Sequence, residues 1–391
     1  MFKSVFAIFI VLVLVHNSTA YAGLRGESKF DSLPSKVLGE QRELLVRLPN
    51  NYHQNRDLSY PVLYLLDGQR NFNHTAGTLD FLNQDGKAQE MIIIAIKNTH
   101  RARDYTPTYD ENYNPWGISG GADNFLDFIE KELIPYVNNN YRTNNFKVLS
   151  GHSLGGLLAI YALQSRPHLF QAHFAFSPSL WWHKQVIFED TESFLKNTTA
   201  LDNYLYLNLG NEKGDMLTAF QRYTDLLTTN TSGNFSYHAD IDEQESHGTT
   251  ALIGQTHAYR HLFKSLQCPE DIIAKGLPAI NAFYKKQSER YGYTIQPSYR
   301  AINSAGYNAL NAKDFTKAIQ LFKVNVENYS YRADPYDSLA DAFEANGQLI
   351  EALNMREITI QKSLNENVEN NAYKTRLANL KALIKQNRKD D

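Results

Sequence analysis

Cysteine is nearly absent from this chain, with Cys268 the only one in 391 residues. One thiol excludes an intrachain disulfide framework and any multi-cysteine zinc or iron–sulfur site. An excess of positive charge is missing too, because 39 Lys and Arg face 42 Asp and Glu and leave a net charge of −3. Proteins that grip phosphate backbones carry a basic excess, so nucleic acid is not an expected partner. No polybasic run is present, which argues against an anionic membrane surface. Long apolar runs are also lacking. The apolar stretch Val5 to Val15 is 11 residues long, whereas a membrane-spanning helix needs about 20. Lys3 precedes that stretch, and small residues at Ala20 and Ala22 follow it. This order reads as a secretory signal peptide over 1–22, cleaved to start the mature chain at Gly23. The expectation is an exported protein, periplasmic or secreted, with no membrane segment after cleavage.

What remains has the balance of an ordinary folded protein, 42% hydrophobic and 21% charged. Its length allows two to three domains at about 150 residues each. Between 23 and 268, short apolar runs alternate with amphipathic segments. Strands are expected at Arg42–Leu48, Tyr60–Leu66, Met91–Ile96, Phe146–Leu149, His173–Phe176, Tyr204–Leu209 and Phe235–Ile241. Runs such as Val62-Leu63-Tyr64-Leu65-Leu66 are apolar throughout, as in strands covered on both faces. Helices are expected between them, at Ala122–Val137 and Leu154–Gln164 among others. This alternation predicts an α/β sandwich with a mainly parallel central sheet.

Beyond Cys268-Pro269 the strand signals stop. A helical linker over 269–298 leads to a small all-α helical-repeat domain over 299–391. Ala318 and Ala352 stand 34 residues apart, and Gly306 and Ala340 keep the same offset. Small residues there let two helices approach, with Phe322 and Phe343 filling the space between them. The interval and pattern resemble tetratricopeptide repeats, with two units at 299–332 and 333–366. Two units are too few to stand alone, so they should dock on the rest of the chain or on a protein partner.

The chemistry centres on Gly151-His152-Ser153-Leu154-Gly155. This G-x-S-x-G follows an apolar strand and opens a helix, the context in which it makes a nucleophile elbow. Such a turn lifts the Ser153 hydroxyl clear of the sheet, while the Leu154 amide faces developing negative charge. A serine hydroxyl needs a base, and in an α/β-hydrolase an acid and then a histidine follow the serine. Four histidines lie beyond residue 200: His238, His247, His257 and His261. His238 sits inside a strand, and His257 and His261 are one turn apart on a helix. His247 sits in the loop after the last strand, so it is the expected general base. The acid should follow Tyr204–Leu209, where Glu212 is nearer the strand end and Asp215 is the commoner residue type. Glu212 is favoured, with Asp215 as the alternative. The second oxyanion donor is expected at the Gln69 amide, after strand Tyr60–Leu66 and Asp67-Gly68.

Four segments stand together here: Tyr-Pro-Val-Leu-Tyr-Leu-Leu-Asp-Gly (60–68), Arg103-Asp104-Tyr105-Thr106-Pro107, Gly151-His152-Ser153-Leu154-Gly155-Gly156 and Ser177-Pro178-Ser179-Leu180-Trp181-Trp182. In this order they resemble the putative esterase family of α/β-hydrolases, which includes esterase D, feruloyl esterases and siderophore esterases. The resemblance covers about 30–265. It implies hydrolysis of a small-molecule carboxylic ester through an acyl-enzyme on Ser153, with no metal or organic cofactor. Some members carry tetratricopeptide-like ends. Asp67-Gly68 stands where relatives often have His-Gly. Trp181 and Trp182 open the stretch 180–203, where such folds insert a lid or pocket wall, and both are expected to face substrate. A serine peptidase, or a binding protein that works through its helical repeats, would be compatible with the same residues.

Overall fold

The computed structural model describes residues 27–390, apart from 51, 54–55, 198–200, 231–232 and 366–369. The expected signal peptide and its cleavage point lie outside the described residues. Eight strands form one sheet: β1 (Ser28–Ser35), β2 (Glu40–Arg47), β3 (Tyr60–Leu65), β4 (Ile92–Ile96), β5 (Thr143–His152), β6 (Ala172–Phe176), β7 (Tyr204–Leu209) and β8 (Ser236–Ile241). Their spatial order is β1-β2-β4-β3-β5-β6-β7-β8. β2 pairs antiparallel with β1 and β4, and the remaining neighbours pair parallel. This mixed but mostly parallel sheet, with helices on both faces, is the α/β-hydrolase fold.

Seven strands match the sequence reading and one is new. β1, Ser-Lys-Phe-Asp-Ser-Leu-Pro-Ser, is an edge strand exposed over most of its length, so it lacks an apolar run to announce it. Its partner β2 supplies the ladder, from Ser28 opposite Arg47 to Ser35 opposite Glu40. β5 also runs longer than its apolar stretch, because Ser150, Gly151 and His152 still pair with Phe174, Ala175 and Phe176 of β6. The helix expected at Ala122–Val137 is interrupted. It is α-helical over Ala122–Phe128, widens to a π turn over Ile129–Leu133, and resumes over Ile134–Asn140. Pro135 lacks the N–H an α turn would use there, and the chain widens just before it.

Alternate residues of each central strand enter opposite cores, as the two-residue period of a strand requires. Val62, Tyr64 and Leu149 join Phe125, Leu126, Leu157 and Leu158 on one face. Leu63, Leu65, Val148 and Phe174 join Phe72, Leu79, Tyr259 and Phe263 on the other. This second core continues unbroken into the C-terminal helices through Ile280, Tyr284, Ala305, Phe322 and Phe343. The helical tail is therefore docked on the sheet's second face.

The tail helices are Tyr299–Asn311, Phe315–Asn328, Asp334–Ala345, Leu349–Asn365 and Asn371–Asp390. A Cβ added at Gly306 would lie 2.4 Å from the Phe322 ring, so glycine sets that interhelical approach. Further along, Arg356 is buried against Asp337 and pairs with Asp341 at 2.5 Å, while Arg376 reaches Asp337 from the last helix at 2.5 Å. Among the described residues, no helix is long and apolar enough to cross a membrane.

Candidate active site

Ser153 sits between β5 and the helix Leu154–Ser165 with φ 60° and ψ −117°. A non-glycine residue in that region is strained, and such strain persists only where the surroundings enforce it. The enforcement is visible next door. A Cβ on Gly151 would lie 2.2 Å from the Gly155 carbonyl oxygen, so the turn closes only over glycine. The Ser153 amide donates to the Phe176 carbonyl at 2.9 Å, and its carbonyl accepts from Leu157 at 2.9 Å. The side chain is left part-exposed at the sheet's carboxyl rim, with its Oγ 3.2 Å from Ser179 Oγ.

The strand–loop edge of β3 supplies the opposite wall. Asp67 has φ 53° and caps the helix Gly68–Gln84. Asn71 and Arg70 return their amides to the Asp67 carbonyl, and the Gln69 amide has no partner among the described residues. The Leu154 amide is likewise without one. Both are first-turn helix amides, the groups that a helix cannot satisfy internally. The Asp67 carboxylate is held by Asn98 and by Arg101, whose Nε lies 2.7 Å from Oδ1. Arg101 also donates to the His152 carbonyl at 2.9 Å. The negative charge at Asp67 is thus matched by a guanidinium.

The segment Arg103–Pro107 is scaffold rather than surface. Asp104 is buried against Arg42 at 2.5 Å and accepts from Arg103 Nε at 2.7 Å. The Tyr105 hydroxyl accepts from the Asp67 amide at 3.2 Å and donates to Asn98 at 2.6 Å. This fixes the backbone that carries Gln69.

His247 and Glu212 come from different loops, after β8 and β7. The His247 Nδ1 lies 2.9 Å from Glu212 Oε1. The loops meet closely, because Asn211 donates to the Glu245 carbonyl at 2.7 Å. A Cβ on Gly210 would lie 2.5 Å from that same carbonyl. Burial raises the Glu212 carboxyl pKa, but hydrogen bonds from Ser177 and His247 outweigh it and hold it below its ordinary value. Asp215, the alternative acid, is exposed at the first position of the helix Asp215–Asn230 and takes no part in this pair.

His152, beside Ser153, had no role in the sequence reading. Its ring lies 4.7 Å from the His247 ring, and its Nε2 is 2.6 Å from the His247 carbonyl oxygen. Burial, with the His247 imidazole adding to it, lowers its pKa to about 4. Its neighbours in the sequence signal only an elbow. Ser153 is thereby brought to the same rim as His247, but among the described residues its Oγ bonds to Ser179 and not to the imidazole. Contacts between nucleophile and base are commonly loose without substrate and tighten in the complex.

The tryptophan expectation divides. Trp182 is 1% exposed, packed at a tilt against Tyr113 at 4.6 Å between ring centroids, with its indole N–H on Thr108 at 3.3 Å. It is a buried anchor and not a substrate-facing side chain. Both rings pack against Tyr113, with Trp182 on the buried side of it. Trp181 is the half-buried partner, 5.4 Å from Tyr113.

An elbow serine on an eight-stranded α/β-hydrolase sheet, with a histidine–carboxylate pair at the same rim, defines the hydrolase class of this fold. A model of the Putative esterase family matches residues 35–260, more than half of the chain, and the protein belongs to that family. It is 32% identical over 161 residues to the ferri-bacillibactin esterase BesA of Bacillus subtilis, covering 36% of this chain and 54% of that protein. It is 43% identical over 146 residues to the siderophore triacetylfusarinine C esterase of Aspergillus fumigatus, covering 35% of this chain and 50% of that one. The chain thus spans about half the length of the curated relatives it matches. A crystal structure of an IroE-like serine hydrolase from Shewanella oneidensis superposes with a TM-score of 0.67 at 30% identity, covering 77% of this chain and 99% of that one.

Proposed function

We propose that this protein is an exported serine esterase that hydrolyses the ester bonds of siderophores. The observation that carries the reading is the 2.9 Å His247–Glu212 pair at the rim where the elbow holds Ser153. In the reaction, Ser153 Oγ attacks the ester carbonyl while His247 Nε2 takes its proton. Glu212 keeps Nδ1 protonated and stabilises the imidazolium. The Leu154 and Gln69 amides receive the oxyanion, and losing one such donor typically costs about 2.7–4 kcal/mol. His247 then protonates the leaving alcohol and activates the water that releases the acyl group.

Siderophore esters are the substrate class because matched relatives carry that activity in their names. Export rests on the 1–22 leader. The C-terminal helices serve as tetratricopeptide-like repeats that shape the pocket or recruit a protein partner. The deciding experiment compares purified protein with Ser153→Ala on a panel of ferric and iron-free siderophore esters, a p-nitrophenyl ester and a peptide anilide. Siderophore hydrolysis lost in Ser153→Ala is the expected result. Preference for the anilide would favour a peptidase. Equal rates in both proteins, or no fluorophosphonate adduct on Ser153, would remove the mechanism.

A further inference from the structure

At the far edge of the sheet, away from Ser153, the sequence pattern His238-Ala239-Asp240 lies on β8. Residues two apart on a strand share a face. On the adjacent helix Thr250–Leu262, His257 and His261 are four apart and share a face as well. The fold sets these two faces against each other. His238 Nε2 lies 2.9 Å from Asp240 Oδ1, and His257 Nδ1 lies 3.7 Å from Asp240 Oδ2. One ligand atom from each of His238, Asp240 and His261 falls within 4.8 Å of the others.

We infer that His238, Asp240 and His261 bind a divalent transition-metal ion of the zinc class, with His257 or water in the fourth position. Two imidazoles and one carboxylate are the donors such borderline ions take, whereas magnesium and calcium want oxygen alone. The carboxylate is already oriented, since the Tyr206 hydroxyl donates to Oδ2 at 2.9 Å and leaves Oδ1 toward His238. An outer donor of this kind is the usual support of a metal-binding carboxylate.

The His238 and His261 rings stack at 3.5 Å between centroids. Their in-plane lone pairs meet at one ion only once a ring turns out of that stack. The site stays reachable, with the His238 side chain 36% and that of Asp240 30% exposed. His261 lines the wall of a cleft of about 950 Å³.

The ion would tie β8 to the helix that follows the His247 loop, clamping both ends of the segment 238–261. It is a structural clasp, independent of the ester chemistry, and Ser153, Glu212 and His247 are not among its ligands.

The test uses the full chain without an affinity tag, stripped with chelator, then titrated with zinc chloride by calorimetry at pH 7.5. The expected result is one ion per chain and a higher melting temperature with zinc, as mass action requires. Cobalt in place of zinc should give the visible absorption of a tetrahedral site. Asp240→Asn and His261→Gln should each weaken zinc binding by at least about tenfold, with far-UV circular dichroism and fluorophosphonate labelling of Ser153 unchanged. No saturable binding to the unsubstituted protein, or equal affinity and stoichiometry in both folded variants, would overturn the inference.

Discussion

His152 holds the backbone of His247 across the rim of the sheet. Its Nε2 is 2.6 Å from the His247 carbonyl oxygen, and the two rings lie 4.7 Å apart. Since the burial-lowered pKa keeps His152 neutral, Nε2 donates its one proton to that carbonyl. The elbow therefore fixes the His247 loop through the residue next to Ser153.

Replacing His152 by Ala should loosen His247 without removing any reacting group. A loss of one positioning hydrogen bond of about 1.4 kcal/mol corresponds to a tenfold lower kcat. KM for a p-nitrophenyl ester should change little. Steady-state kinetics decide this, and a kcat equal to that of the parent protein would assign His152 a packing role only.

The choice between the two acids has a direct readout. Glu212→Gln preserves the shape but loses the carboxylate charge facing His247 Nδ1, and in comparable triads that loss costs about 10⁴ in kcat. Asp215→Asn should leave kcat within about twofold, because Asp215 is exposed at a helix start. Measuring both variants on one ester separates them.

The two tryptophans should part in the same way. Trp182→Ala empties a buried site, and such truncations cost about 3–5 kcal/mol of stability. Trp181→Ala should shift urea unfolding by less than about 1.5 kcal/mol and instead raise KM. Chemical denaturation and kinetics on the same two variants check the pair.

Acid should destabilise the fold through its buried histidines. Burial lowers the His173 pKa to about 3 and, with His247, lowers that of His152 to about 4, each from 6.5. Between pH 6.5 and those values the unfolded chain binds protons that the native chain refuses. Stability is therefore complete above pH 6.5 and falls as pH drops through that window. For His152 the loss amounts to about 3 kcal/mol. Urea unfolding at pH 7 and pH 4.5 measures the slope, and His173→Phe should flatten it.

Much of the hydrolase half was readable because its signals are local. The runs at β3 and β4 are apolar on every residue, as expected of strands covered on both faces. The elbow was legible for a similar reason: Gly151 must lack a side chain where that turn closes on the Gly155 backbone. β1 was missed because an exposed edge strand is polar on most positions, and only its pairing with β2 makes it a strand. The π turn before Pro135 was missed because one widened turn barely alters the apolar spacing.

The sequence by itself determined the mainly parallel sandwich, the elbow serine, the histidine in the last loop and the helical tail, since each is written within a few neighbouring residues. Tertiary structure alone decided that Glu212 and not Asp215 meets His247, that Trp182 is buried, that His152 holds the His247 carbonyl, and that His238, Asp240 and His261 converge. Those outcomes depend on where distant loops and helices arrive in space, and residues three apart in one loop carry no local mark of which will face a partner thirty-five positions away.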